Sequence, residues 1–492
     1  MASPHTRLRF SPSPTGYLHI GGLRTALYNE LFAKRTGGDF ILRIEDTDRV
    51  RFVEGGIENI CGSLKALNLI PNEGVWIDDD GKLIELGSFG PYLQSARKDR
   101  HLAYAMQLVE KGDAYHCFCS TDRLTQLREE QQAAHLPTMY DGKCRSLSQE
   151  EVEKRVAANE SHVIRLKLPK EGTATFDDVI RGSISFEWAL IDDQVIIKSD
   201  GYPTYHLAAT CDDHDMEITH VVRGEDWVSS TPKHLFIYNS FGWNVPAFAH
   251  LPLLLNADRS KLSKRQGDVA VEDYLAKGYL PDALLNFVAL LGWNPSAEQE
   301  IYTHQQLREA FELSKVNKAG AVFNIEKLDW LNEQYIRAMT VEDYLKLTRP
   351  FITQPNQDAA FIDRCLLIIR DRVRFAKDVE TLTSFFFAPS FDFSAAQLTW
   401  KTQAKPEAIE RLQAVSELLT RLSDADFVVS QLELKVKALI AERGWGNGDT
   451  LWPLRVSLSG QEKSPGPFEL LEAYGKTRSL ERLGQAIAVL KQ

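Results

Sequence analysis

The sequence predicts an α/β domain with a parallel sheet, split by an inserted α+β domain and followed by a mainly α-helical region. The first 45 residues show a strand–helix–strand pattern, which predicts a βαβ unit and therefore parallel strands. A cysteine-rich stretch with several short predicted strands interrupts this pattern, which resumes near Tyr205. Beyond Pro281 alanine, leucine and glutamate are frequent and strand signals are few, which predicts helices.

The βαβ unit is built from short, well-marked segments. Residues 6–10 alternate polar and apolar as a strand does, and the Pro- and Gly-containing loop 11–16 ends it. A helical pattern runs from Leu18 to the pair Gly37-Gly38, and residues 40–44 read as the second strand. Such a unit predicts nucleotide chemistry at the carboxyl edge of the sheet.

The later elements follow the same logic. We expect a helix over 99–111, short strands between 163 and 198, a strand over 218–222, a helix after Pro232 that Gly242 ends, and a strand over 248–255. The predicted division of the chain is 1–95, 96–204, 205–256, 257–335, 336–400 and 401–492.

Composition limits the class of protein. The 492 residues carry 57 Lys+Arg against 68 Asp+Glu, a net charge of -11, which argues against indiscriminate nucleic-acid binding. Residues 331–492 are neutral, with 21 of each sign, so a local basic surface could still meet an RNA. No apolar run is long enough for a membrane span and the N-terminus has no apolar signal core, which predicts a cytoplasmic protein without a membrane partner. The six dispersed cysteines are no indication of disulfides.

Two short motifs suggest phosphate chemistry. His19-Ile-Gly-Gly22 lies between strand and helix, where backbone N–H groups favour an anion. Lys261-Leu-Ser-Lys-Arg265 places three cations beside a predicted strand, as a phosphoryl transition state requires. Taken singly, the first is also compatible with a plain glycine turn and the second with a solvated basic loop. Their pairing, and the absence of a GxxxxGK[ST] loop, favours the ATP interpretation.

Both motifs resemble the signatures of class I aminoacyl-tRNA synthetases, in the forms common among the glutamate enzymes. The runs 11–16, 43–48, 200–206 and 223–226 match as well, and the similarity covers the whole chain. The resemblance implies a Rossmann-type catalytic domain, an inserted acceptor-binding domain, a stem-contact region and helical anticodon-binding parts. It implies His19, Lys261 and Lys264 as catalytic residues, with Lys264 as the main stabiliser of the adenylation transition state. It also implies ATP with Mg²⁺, bound by Gly16, His19, Gly21, Gly22, Lys261, Ser263 and Lys264.

A glutamate pocket needs a cation for the side-chain carboxylate and an anion for the ammonium group. Arg9 and Arg223 at the sheet edge suit the first task, since a guanidinium binds a carboxylate bidentately, and Glu45 suits the second. Taken singly, each of these residues is better explained as a member of an ordinary surface ion pair. In the resembling family the positions of Arg9, Tyr205 and Arg223 bind the side-chain carboxylate, and those of Ser11, Ser13 and Glu45 hold the backbone groups.

Related glutamine enzymes lack the second arginine and carry Asp-Asp-Thr where this chain has Glu45-Asp-Thr47. An amide would leave a guanidinium unpaired, which disfavours glutamine by an estimated ~2–4 kcal/mol. One departure is Ala209, where the family often has an asparagine that contacts the α-carboxylate. The sequence does not decide whether tRNA for glutamine is also charged.

Cys117, Cys119, Tyr140 and Cys144 resemble the zinc-binding insertion of some bacterial members. Cys-x-Cys is tighter than the usual ligand spacing, and Ser146 stands where some relatives have a histidine ligand. Tyr140, water, His116 and His135 remain candidates for the fourth ligand. Three thiols without a metal are the alternative.

The segment from about 331 resembles the anticodon-binding module of the family, in which an arginine near Arg370 or Arg372 rejects a wrong third anticodon base. The implied partners are tRNA(Glu), ATP and L-glutamate, and a monomer is expected. Two other classes remain: a small-molecule nucleotidyltransferase, which would not need the helical tail, and a non-catalytic tRNA-binding relative, which the intact motif residues oppose.

Overall fold

The computed structural model describes residues 5–262, 270–296, 298–354 and 357–492. The chain divides into two compact units, one up to Leu328 and one from Asp329 to Gln492. No helix among the described residues is long and apolar enough to cross a membrane.

The first part of the first unit starts the main sheet. Arg7–Phe10 forms a buried strand because its backbone pairs on both sides, and the helix that follows begins at Ile20, directly after His19. The helix ends where Gly37 takes a left-handed conformation with φ of 67°. The elements are β1 (Arg7–Phe10), α1 (Ile20–Arg35), β2 (Asp39–Leu42), α2 (Gly56–Ala66), β3 (Glu73–Ile77), β4 (Leu83–Leu86) and α3 (Lys98–Glu110).

The middle segment contributes to two sheets. Its elements are β5 (Ala114–Cys117), α4 (Thr121–Ala133), α5 (Gln149–Ala157), β6 (Val163–Leu166), β7 (Thr173–Asp178), β8 (Gly182–Glu187) and β9 (Val195–Ile197). Strands β5, β6 and β9 form a small antiparallel sheet. The hairpin β7–β8 instead joins the main sheet, although the sequence predicts 96–204 as one inserted domain.

The rest of the first unit completes the main sheet and adds helices. The elements are α6 (Tyr205–Asp215), β10 (His220–Gly224), α7 (Thr231–Phe241), β11 (Ala247–Leu251), β12 (Leu254–Leu255), α8 (Val271–Lys277), α9 (Pro281–Ala289), α10 (His304–Ala310), β13 (Ala321–Val322) and α11 (Ile325–Ala338), a helix that begins in this unit and continues past Leu328 into the second. The strand predicted over 248–255 is broken at Pro252, because proline cannot donate to a ladder.

Within the described residues the main sheet has the order β4-β3-β2-β1-β10-β11-β7-β8. The pairs from β3 to β7 are parallel, and β4 and β8 are antiparallel edge strands. Strands β2, β3 and β4 follow one another on one side of β1, whereas β10 and then β11 lie on its other side. The boundary between β1 and β10 is therefore a topological switch point, where open α/β sheets bind ligands at the carboxyl edge.

The described residues of the second unit form helices and loops and no strand. Its helices are α12 (Val341–Thr348), α13 (Ala359–Ile369), α14 (Asp378–Phe387), α15 (Lys405–Arg421), α16 (Val429–Glu442), α17 (Asn447–Ser459) and α18 (Pro467–Leu490). Helix α18 packs against α13, α15, α16 and α17 and is kinked at Gly475, whose φ of 68° is not helical. The buried faces of α15 and α16 repeat at helical spacing, as in Leu412, Val415 and Leu419.

Candidate active site

A cavity of about 860 Å³ opens at the carboxyl ends of β1 and β10, at the switch point. It brings together residues from both motifs and from the predicted glutamate pocket: Arg9, Ser11, Ser13, His19, Gly21, Gly22, Glu45, Tyr205, Arg223 and Lys261. Gly16 is not among its lining residues, and neither is Ala209, which is buried in α6. Ser263 and Lys264 lie outside the described residues.

Arg9 is held by a buried carboxylate that the sequence analysis did not single out. Asp213, in α6, accepts from Arg9 Nε at 2.9 Å and from Nη2 at 3.3 Å. The same carboxylate lies 2.7 Å from Arg43 Nη1, whose other nitrogen lies 3.2 Å from Glu45 Oε1. All four side chains are at most 5% exposed. The two arginines are thus balanced by two carboxylates, of which Glu45 lines the cavity and Asp213 does not.

Glu45 lines the cavity from the end of this network. Burial raises the pKa of Glu45 to about 7, although the charges of Arg43 and Arg9 pull it down. A cation that enters the cavity would stabilise the ionised form of Glu45, because the cation would compensate for the solvation that burial removes. The geometry therefore suits an ammonium group at Glu45.

Arg223 differs from Arg9 in having no carboxylate within ion-pair distance among the described residues. Its five N–H groups meet five neutral acceptors: His250 Nε2 at 3.0 Å, Tyr205 Oη at 3.0 Å, His234 Nδ1 at 3.1 Å, the Trp227 carbonyl at 3.3 Å and Thr231 Oγ1 at 2.9 Å. Arg223 is 5% exposed. A buried, uncompensated cation that lines a cavity is a binding site for an anion.

The histidines around Arg223 are neutral. Burial lowers the pKa of His234 well below its ordinary value, and the Arg223 charge lowers it further. Burial likewise lowers the pKa of His206 to about 3. Because His234 Nδ1 accepts from Arg223, its proton must lie on Nε2, which faces His206 Nδ1 at 3.3 Å.

Ser11 supplies a second sign of a ligand. Its Oγ is buried, lines the cavity wall and has no hydrogen-bond partner among the described residues. Such a hydroxyl costs free energy unless a ligand or water bonds to it. Ser13 is exposed at the same rim.

His19 caps the N-terminus of α1. Its Nδ1 accepts from the Gly22 N–H at 3.1 Å, so the neutral ring carries its proton on Nε2 and can donate from there. A Cβ on Gly21 would approach His19 Cε1 to 3.0 Å, which accounts for glycine at that position. The helix N-terminus and the imidazole together form an anion-binding arrangement.

Lys261 reaches the cavity from the other motif. Its Nζ lies 2.9 Å and 3.0 Å from the two carboxylate oxygens of Asp226, in a pair that is more than half exposed. An exposed pair contributes about 0–1 kcal/mol, so an incoming phosphate could displace Asp226 from the lysine.

A separate cluster lies at the end of β5 and in the loop before α5. The sulfur atoms of Cys117, Cys119 and Cys144 lie within 4.8 Å of one another. The Tyr140 hydroxyl is 3.5 Å from Cys117 Sγ and 3.4 Å from Cys119 Sγ, and it accepts from the Cys144 N–H at 2.9 Å. Three thiols and a phenol at one point fit the donor set of a tetrahedral zinc site.

Neither histidine considered as a fourth ligand belongs to this group. His116 precedes Cys117 in β5, so its side chain points to the other face of the sheet, where its ring lies 4.8 Å from that of His162. His135 is exposed at the end of α4. The alternation of a strand would have excluded His116 from sequence alone.

The two arginines considered for anticodon reading follow α13 in the second unit. Arg370 Nη2 donates to the carbonyls of Arg337, at 2.9 Å, and Met339, and its guanidinium lies over the Tyr344 ring. Arg372 is exposed and donates to the Ser464 carbonyl at 3.0 Å. Both arginines bond backbone carbonyls, and Arg372 is the more exposed of the two.

A Rossmann-type sheet whose switch-point cavity is lined by His19-Ile-Gly-Gly22 and Lys261, an interrupting segment and a helical unit are together the features of a class I aminoacyl-tRNA synthetase. Residues 5–330 match the family model "tRNA synthetases class I (E and Q), catalytic domain", and residues 341–487 match an anticodon binding domain. The chain belongs to the glutamate–tRNA ligase family.

The similarity extends over full-length relatives. The chain is 45% identical over 510 residues to a glutamate–tRNA ligase from Chloroherpeton thalassium, covering 99% of this chain and 98% of the other. It is 42% identical over 507 residues to that from Prosthecochloris aestuarii, covering 98% of each. Among solved structures, the glutamate tRNA ligase from Elizabethkingia meningosepticum, in complex with its amino acid, has a TM-score of 0.87 at 37% identity and 99% coverage of both chains.

Proposed function

We propose that this protein is a glutamate–tRNA ligase that activates L-glutamate with ATP and transfers it to the 3′ end of tRNA(Glu). The observation that supports glutamate as the substrate is the environment of Arg223, a buried guanidinium surrounded by neutral acceptors. Glutamate brings the missing negative charge, whereas glutamine would leave the cation uncompensated. Membership of the family supports the reaction type.

In the first step an oxygen of the α-carboxylate of glutamate attacks the α-phosphorus of ATP, and pyrophosphate leaves. Glu45 would hold the substrate ammonium, Ser11 and Ser13 would bind its backbone groups, and Arg9, Tyr205 and Arg223 would surround its side chain. His19 and the start of α1 would bind the nucleotide phosphates together with Lys261. Ser263 and Lys264, which lie outside the described residues, would bind the ATP phosphates, and Lys264 would be the main stabiliser of the adenylation transition state. Mg²⁺ would accompany ATP as the counter-ion of its phosphates.

In the second step the terminal ribose hydroxyl of the tRNA attacks the carbonyl of glutamyl-adenylate, and AMP leaves. The cavity must therefore admit the tRNA end while the adenylate stays bound. We propose that the protein is cytoplasmic and acts as a monomer. Its elution volume in size-exclusion chromatography would test the oligomeric state.

The reaction is tested by charging transcripts of tRNA(Glu) and tRNA(Gln) with radiolabelled glutamate and, separately, glutamine. We expect glutamate to be charged and glutamine to be rejected by at least about 30-fold in kcat/KM. Equal use of both amino acids would contradict the role of Arg223. Pyrophosphate exchange with and without tRNA separates activation from transfer.

The accessible Arg372 is our candidate for reading the third anticodon base, and Arg370 is its matched control. Replacing Arg372 by Ala should narrow the charging difference between tRNA(Glu) and a transcript altered at that base by about tenfold, since one hydrogen-bonded base contact is lost. Arg370→Ala should lower the unfolding temperature without relaxing base selection, because this arginine bonds the Arg337 and Met339 carbonyls. The opposite pattern would assign the reading to Arg370.

The three thiols and Tyr140 support a second proposal, a structural zinc ion held by Cys117, Cys119, Cys144 and Tyr140. Zinc bound there would fasten the turn after β5 to the loop before α5. The ion has no part in the chemistry of the cavity.

A further inference from the structure

The hydrogen-bond acceptors around the guanidinium of Arg223 fall into two groups, one on residues that line the cavity and one on buried residues. Two of its acceptors, Tyr205 Oη and the Trp227 carbonyl, belong to residues that line the cavity. The other three, on His250, His234 and Thr231, belong to residues that are at most 3% exposed and do not line it. A carboxylate that enters the cavity can replace the first two acceptors on Nη1 and Nη2. The three buried acceptors would then hold the arginine in place.

His250 is the acceptor that fixes the Nε end of the guanidinium. Arginine can only donate, so His250 Nε2 must carry no proton if it is to accept from Arg223 Nε at 3.0 Å. The single proton of the neutral ring therefore lies on Nδ1. That nitrogen lies 2.6 Å from Asp178 Oδ2, a carboxylate that can accept it.

Asp178 is itself rigidly held. Its Oδ1 accepts from the backbone N–H groups of Ile180 at 3.0 Å and Arg181 at 2.9 Å, and its Oδ2 accepts from the His250 N–H at 3.1 Å. The carboxylate and the imidazole are both fully buried. Asp178 ends β7, so the hairpin β7–β8 supplies a residue that acts behind the cavity wall.

We propose that Asp178 and His250 are positioning residues for amino-acid selection: Asp178 fixes the tautomer of His250, which in turn aims the Arg223 fork into the cavity. The inference rests on the proposed function, because it assigns the fork to the side-chain carboxylate of glutamate. Neither residue touches the substrate. Their effect is on glutamate binding and on its preference over glutamine, and not on the phosphate chemistry.

Asp178→Asn tests the first link with almost no change of shape. If the amide oxygen keeps the Ile180 and Arg181 bonds, the amide nitrogen faces His250 and moves the ring proton to Nε2. A donor then faces the Arg223 Nε–H. We expect the KM for glutamate to rise about ten- to a hundredfold and the preference for glutamate over glutamine to fall, while the KM for ATP stays within about twofold.

His250→Gln tests the second link, because a glutamine oxygen can accept near the Nε2 position without any tautomer. Its KM for glutamate should rise less than about threefold. In the double variant, Asn at 178 should raise the KM for glutamate much less than it does alone, because only its bond to the backbone N–H of residue 250 is still affected once the imidazole is gone. His304→Gln is the matched control: it removes an imidazole–carboxylate contact with Glu30 elsewhere in the same unit and should leave the KM for glutamate unchanged.

The outcomes separate the two levels of inference. A wild-type enzyme that does not charge tRNA with glutamate would defeat the proposed function itself. A wild-type enzyme that does so, with an Asp178→Asn variant of unchanged glutamate KM and preference, would defeat only the positioning role. The positioning role would also be defeated if Asn at 178 raised the KM for glutamate equally in the wild-type and His250→Gln backgrounds. Asp178 would then act on this KM without the His250 imidazole. Thermal unfolding of each full-length variant establishes that the proteins compared are folded.

Discussion

At the scale of single residues, two buried arginines with the same chemistry have opposite surroundings. Arg9 is neutralised by Asp213, which also lies against Arg43, whereas Arg223 meets only neutral acceptors. The residue types could be predicted from sequence as a carboxylate pocket. The different surroundings of the two arginines could not be predicted, because Asp213 lies 204 residues from Arg9 along the chain and His250 lies 27 residues from Arg223, and only folding brings these partners together.

Replacing Arg223 by Gln should lower kcat/KM for glutamate by about 30- to 1000-fold, because a buried charge-assisted contact worth about 2–4 kcal/mol is lost. Steady-state charging at saturating ATP and tRNA measures this. Arg7→Gln is a matched control, since Arg7 is also buried in β1 but pairs with Glu73 and Asp39 and does not line the cavity. A variant at 223 that keeps wild-type kcat/KM would remove this arginine from the pocket.

Glu45 predicts a pH dependence. Its pKa of about 7 means that the carboxyl is largely protonated below neutrality, and a neutral acid cannot pair with the substrate ammonium. We expect kcat/KM for glutamate to fall as the pH drops below about 7, and Glu45→Gln to be slower throughout and to lack this limb. An unchanged acid limb in the variant would assign it to another group.

The same group affects stability with a defined sign. A carboxyl whose pKa is raised by folding contributes stability below its unfolded value of 4.5, and this contribution is lost as the pH rises through about 7. The unfolding free energy of the wild type relative to Glu45→Gln should therefore decrease over this window, by about 3 kcal/mol at most. Urea unfolding at several pH values measures it.

At the scale of elements, local patterns predicted the βαβ start, a helix beginning near Leu18, which the structure begins at Ile20, and the end of a later helix at Gly242. They did not predict that β7–β8 would leave the inserted segment and join the main sheet. Pairing of β7 with β11 is a contact across about 70 residues, and period-two alternation shows that a strand exists but not which strand it pairs with. The same limit hid Asp178 from sequence reasoning.

The loop that holds the three thiols makes a prediction at this scale. The purified protein should contain about one zinc ion, and Cys144→Ser should reduce this content and lower the unfolding temperature. Tyr140→Phe should weaken retention against a chelator while leaving the thiols intact. Cys61→Ser, a buried thiol in α2, is the control and should keep the metal. A wild-type protein that takes up no added zinc would leave the thiols as a metal-free cluster.

At the scale of the whole molecule, the cavity residues all belong to the first compact unit, and the anticodon model matches the second. Glutamate with ATP should therefore raise the unfolding temperature of the first unit alone, because a ligand stabilises only the unit that binds it. Transcripts of tRNA(Glu) should raise both. Calorimetry measures the unfolding temperature of each unit, and limited proteolysis assigns each transition to its unit. If glutamate and ATP shifted both transitions equally, the prediction would be contradicted.

The hairpin β7–β8 limits how this protein can be shortened or re-engineered. Continuous along the chain, residues 96–204 look like a cassette that could be exchanged between enzymes, but in space they supply the last two strands of the catalytic sheet. Deleting residues 96–204 would leave β11 as an unpaired edge strand that could pair with other chains. The deletion would also remove Asp178, the carboxylate that contacts His250. The predicted domain boundaries at 96 and 204 are thus not boundaries at which the segment can be exchanged. A chimaeric enzyme must retain β7 and β8.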